Sequence, residues 1–153
     1  MKRIDLTQAQ RRLALAWLLG SGLAFGLVIL QSLSRQPPFP PDKQWQWLLP
    51  CLLPTLSLIL STVVAEARMV RAAASADLFS FQVSLGLSMF YLALVLSTPL
   101  LAPLLQLTAA ERVELLTKSQ LWLGPVQGLV GLALGAFFVS RENDAPAVRV
   151  EGT

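Results

Sequence analysis

The few groups in this chain that could do chemistry inside a membrane lie in two apolar stretches. Cys51, Thr55, Thr62 and Glu66 recur at i, i+4, i+11 and i+15 in QWLLPCLLPTLSLILSTVVAE. On a helix turning about 100° per residue they fall within about 60° of one another. Gln127, in WLGPVQGLVGLALGAFFVSR, is the most deeply placed strong polar group of the chain. Polar groups in membrane helices face a bundle interior or a water-filled cavity, so Thr55, Thr62, Glu66 and Gln127 are candidates to line a polar path. The alternative use is adhesive. Ser and Thr hydroxyls bond their own helix backbone, and a glutamine bridging two helices contributes roughly 1 kcal/mol.

Much other chemistry is excluded. The chain has no histidine and one cysteine, Cys51. That removes an internal disulfide, Ser-His catalysis, Cys-pair redox chemistry and most metal or haem ligation. No Asp or Glu lies in the middle of an apolar stretch, whereas four-helix multidrug exporters of similar length work through a buried membrane carboxylate. Glu66-Ala67-Arg68 only faintly resembles the Glu-Arg motif of four-helix membrane glutathione transferases, and the following Asn is missing at the expected spacing. The expectation is a protein that is not an enzyme and holds neither cofactor nor metal.

The elements that position these groups are four apolar stretches of spanning length, at about 13–33, 46–66, 79–104 and 121–140. About 20 apolar residues cross a bilayer as a helix. Charged residues make up 14% of the chain, against about 25% in soluble domains, so residues 1–141 read as one membrane domain. Asp5 with Gln8, and Thr108 with Glu111, have the spacing of helix capping boxes. The second predicts a short surface helix over TAAERVELL ahead of the fourth span. Pro37, Pro38, Pro40 and Pro41 predict a stiff first loop. Pro54 frees a carbonyl one turn back and predicts a kink. Trp45 and Trp47 read as interfacial aromatics. Residues 67–78 read as a helical extension, and 142–153 as a short disordered tail.

Lys and Arg set the topology. Eight lie in the N-terminus, second loop and tail, and four in the first and third loops. The positive-inside rule then places both termini in the cytoplasm. The net charge of +3 reflects helix anchoring rather than nucleic-acid binding.

Gly22 and Gly26 form a GxxxG pair in the first span, with Ala16, Gly20 and Ala24 on roughly the opposite side. Gly124, Gly128, Gly131 and Gly135 form a stripe in the fourth. Small residues let helix backbones approach closely in lipid. More such faces exist than one four-helix bundle needs, which points to oligomerisation or a membrane partner. A cytoplasmic partner would meet the basic N-terminus.

The WLLPCLLPTLSLIL and WLGPVQGLVGLALGAFFV blocks resemble those of small bacterial four-helix membrane proteins of no assigned function. The resemblance implies a multi-pass protein of a bacterial inner membrane. The expectation is an all-α integral membrane bundle, a homo-oligomer that forms or gates a pore, or else an anchoring or regulatory subunit of a larger complex.

Overall fold

The computed structural model describes residues 3–68 and 75–139; of these, the side chains of 3–7, 65–68, 75–77, 102, 103, 138 and 139 lie outside the description. The fold is all-α. Four long helices follow in order: α1 (Leu6–Ser32), α2 (Pro41–Arg68), α3 (Leu78–Leu104) and α4 (Ala109–Val139). Each is long and apolar enough to cross a membrane. Two three-residue segments, β1 (Arg3–Asp5) and β2 (Ser75–Asp77), pair antiparallel with Ile4 opposite Ala76. Of the helical extension expected over 67–78, α2 runs to Arg68, residues 69–74 lie outside the described residues, and 75–77 form β2 instead. The side chain of Asp5, and with it the expected cap, lies outside the description, and the tail at 142–153 lies outside the described residues.

The predicted surface helix and fourth span are one continuous element. The capping box starts it: the Thr108 amide donates to Glu111 Oε2 at 2.8 Å, and the Glu111 amide donates to Thr108 Oγ1 at 3.4 Å. Nothing between Glu111 and Trp122 breaks the helix, since Lys118 pairs with Glu114 one turn away at 2.8 Å and keeps the exposed face polar. Pro125 is accommodated inside α4. Before it, α3 ends at a turn in which Gln106 takes a positive φ of 50°.

The first loop is tied down to the bundle. Phe39 is buried, and Arg112 donates from Nε to the Leu107 carbonyl at 2.8 Å and from NH1 to the Pro38 carbonyl at 3.1 Å. One guanidinium thereby joins the loop after α1 to the loop after α3.

α1 packs on α3, α2 on α4, and each helix also packs on its hairpin partner, most extensively α3 with α4. Trp17, Trp47 and Tyr91 are fully buried at the centre. Leucines such as Leu19, Leu30, Leu121 and Leu132 cover the outside. A soluble protein would bury such residues, and a helix bundle in lipid displays them. Trp47 corrects an expectation. It is not interfacial but core, and its indole Nε1 donates to Ser119 Oγ of α4 at 2.8 Å. Trp45 is half-buried and stacks on Phe25 with ring centroids 5.9 Å apart.

The fold brings out a recurrence between α2 and α4. Setting Trp47-Leu48-Leu49-Pro50 on Trp122-Leu123-Gly124-Pro125 also aligns Lys43 with Lys118. Four buried positions then coincide, Gln44 with Ser119, Leu48 with Leu123, Thr55 with Val130 and Ile59 with Leu134, while Trp47, Cys51 and Leu52 are buried where Trp122, Val126 and Gln127 are not. The aligned stretches also stand at the same height, because Trp47 reaches Ser119 and Gln127 reaches Pro50.

Candidate functional site

The polar groups of the bundle meet around the prolines of α2. An α-helix carbonyl accepts from the amide four residues on. Pro54 has no N–H, so the Pro50 carbonyl has no donor within α2. Gln127 of α4 fills the gap. Its Nε2 donates to the Pro50 carbonyl at 3.1 Å and to the Cys51 carbonyl at 3.1 Å. Tyr91 of α3, fully buried, donates its hydroxyl to the same Cys51 carbonyl at 2.7 Å. Three helices converge on two adjacent carbonyls.

A second proline pair is treated alike. Pro103 leaves the Pro99 carbonyl of α3 without its helical donor. Gln31 of α1 donates Nε2 to it at 3.4 Å. Gln31 Oε1 in turn accepts from Nε2 of Gln44, a fully buried residue of α2. In both cases a glutamine from another helix donates to the carbonyl that the second proline of a Pro-x-x-x-Pro pair leaves open.

Comparison with known protein families, with curated proteins and with solved structures finds no match.

The predicted polar path separates into its members. Thr55 is buried against the bundle. Thr62 is half-buried and donates to the Ile59 carbonyl of its own helix at 2.7 Å. Gln127 is engaged with α2, as above. Glu66 lies in the last turns of α2, and its side chain is outside the described residues. Ser84 of α3 donates to the Ala133 carbonyl of α4 at 3.1 Å. Thr62, Gln127 and Ser84 thus direct their donors at backbone carbonyls, two of them across helices. Ser88 and Trp17, on facing helices, are fully buried with Oγ and Nε1 lacking a protein partner.

The glycines separate too. Gly20 is an internal contact: a Cβ built there would lie 2.6 Å from Cδ1 of Leu92, which is itself buried. With Ala24 buried beside it, this small-residue face of α1 lets α3 approach. Gly22, Gly26, Gly124, Gly128, Gly131 and Gly135 are different. A Cβ at any of them meets nothing within 4 Å. Among the described residues, no neighbour comes close enough to need their small size. Gly22 and Gly26 floor an open apolar groove of about 580 Å³ walled by Leu19, Leu23, Leu30 and Leu96.

The α2–α4 recurrence adds residues that reading each span alone misses. At the positions of Gly124, Gly128, Gly131 and Gly135, α2 carries Leu49, Leu53, Leu56 and Leu60. Leu49, Leu53 and Leu60 are exposed and Leu56 is half-buried. One helix bears a leucine ridge and the other a glycine groove, with identical spacing at one height. The signal was available in the repeated W-L-x-P.

Proposed function

We propose that this chain is a small self-assembling integral membrane protein without a catalytic centre, in which the leucine ridge of α2 on one copy packs into the glycine groove of α4 on the next. The observation that carries the reading is the set of four open glycines on α4, level with four leucines on α2. Glycine costs a helix about 1 kcal/mol relative to alanine, and among the described residues no close contact offsets that cost here. A ridge entering a groove of equal spacing is how helices pack. Such a contact joins two different patches, so it builds a ring if the rotation closes and a filament if it does not.

In this reading the assembly acts as a membrane-embedded interaction subunit. The engagement of Gln127 and Thr62 with backbone carbonyls favours it over a pore through a single chain. The distribution of Lys and Arg supports an orientation with both termini in the cytoplasm.

Disulfide crosslinking in native membranes tests the contact. In a Cys51→Ala background, Leu53→Cys and Gly128→Cys on separately tagged copies should crosslink, while Leu19→Cys with Gly128→Cys should not. Equal yields from both pairs would dismiss the ridge-and-groove contact.

A further inference from the structure

Apart from the Ser84–Ala133 bond, the side-chain hydrogen bonds described between helices gather around the first half of α2. Gln44 donates to Gln31 of α1, Trp47 to Ser119 of α4, and the Pro50 and Cys51 carbonyls accept from Gln127 of α4 and Tyr91 of α3. The Pro38 carbonyl, just before α2, accepts from Arg112. This same half of α2 ends in its two prolines, where the helix backbone is least able to hold its own direction. Pro50 and Pro54 each remove an amide donor, and each ring crowds the carbonyl one turn back. The hydrogen bonds that brace the Pro50 and Cys51 carbonyls at this joint come from side chains of other helices, Gln127 and Tyr91.

We propose that residues 41–54 of α2 form a hinged strap, latched by Gln127 and Tyr91 and able to swing about Pro50–Pro54 when the latch opens. Two features fit a latch better than a static splice. Gln127 is only half-buried and its amide gives one hydrogen to each of two carbonyls, so one bond can open while the other holds. The strap also carries Gln44, whose Nε2 holds the glutamine that donates to the Pro99 carbonyl. Movement of the strap therefore withdraws support from the α3 proline pair, and the two proline joints move together. Gln44 Oε1 is buried without a protein partner in the latched form. An unmet buried acceptor is a cost that swinging outward relieves.

The inference stands apart from self-assembly, since it concerns one chain. Pulsed electron spin resonance on the full-length protein in lipid nanodiscs tests it, in a Cys51→Ala background. One label pair, Lys43→Cys with Lys118→Cys, spans the strap. A second, Ser61→Cys with Leu132→Cys, lies beyond the hinge. Dilution with unlabelled protein keeps distances intramolecular. Gln127→Leu should add a second, longer distance at the first pair and leave the second pair unchanged. Adding Pro54→Ala should restore the single distance, because residue 54 then supplies the amide that the Pro50 carbonyl lacks. If Gln127→Leu does not fold, Tyr91→Phe removes only a hydroxyl and should broaden the first pair alone. Unchanged distances at the first pair, equal broadening at both, or no rescue by Pro54→Ala would each overturn the proposal.

Discussion

Gln127 of α4 donates to the backbone carbonyl of Pro50, which has no partner in its own helix because Pro54, one turn on, has no amide. A side chain on one helix completes the hydrogen bonding of another. In lipid an unsatisfied carbonyl costs several kcal/mol, so such a carbonyl recruits a neighbour.

This relationship predicts a coupling between two residues through a backbone atom. Gln127→Leu should destabilise the folded protein by about 1 kcal/mol. In a Pro54→Ala background the same change should cost clearly less, because the helix then satisfies the Pro50 carbonyl itself. A double-mutant cycle of reversible unfolding in mixed micelles measures the difference. Identical costs in the two backgrounds would mean that Gln127 stabilises through something other than this carbonyl.

Neighbouring glycines of α1 should behave in opposite ways. Gly20→Leu drives a side chain into buried Leu92 and should destabilise by roughly 1–3 kcal/mol, as overpacking does. Gly22→Leu enters open space and should leave the stability of the isolated chain within about 0.5 kcal/mol. Thermal unfolding of detergent-solubilised monomer separates them, and similar losses at both sites would show that α1 is packed on both faces.

The two aligned tryptophans should separate as well. Trp47 is buried and bonded to Ser119, so Trp47→Ala should cost roughly 3–5 kcal/mol. Trp122, at the matching position of α4, is 41% exposed. Trp122→Ala should cost under about 1 kcal/mol in the same unfolding assay.

Arg112 joins two loops through a planar, forked group. Arg112→Lys cannot make both bonds in that geometry. Limited proteolysis should then cut the loop before Pro41 several-fold faster than in the wild-type protein. Equal cutting rates would show that the prolines alone hold the loop.

Much of this was legible in the residues alone. Four apolar blocks specify four helices because length and hydropathy act locally. The capping box at Thr108 and the carbonyl freed by Pro54 follow from covalent geometry, and both are present. What pattern reading missed is which partner meets which group. An indole next to a loop fits an interface as well as a core, and only the packing of α2 on α4 buries Trp47. Gln127 could have faced a path or a neighbouring backbone, and its height relative to Pro50 is a tertiary property. The small faces of α1 look equivalent in sequence, yet Leu92 occupies one and nothing in the chain occupies the other. The split between Gly20 and Gly22 depends on where α3 lies.

The central claim is that the open glycine groove of α4 is an assembly surface. The most direct test is the mass of the purified particle, with bound detergent subtracted, for the wild-type protein and for Gly128→Leu/Gly131→Leu. A Cβ at either glycine meets nothing within 4 Å, so the variant is expected to fold as one chain, which its circular dichroism checks. The account predicts a defined multimer for the wild type and a folded, helical monomer for the variant. A wild-type monomer, or a variant multimer of unchanged mass, would contradict it.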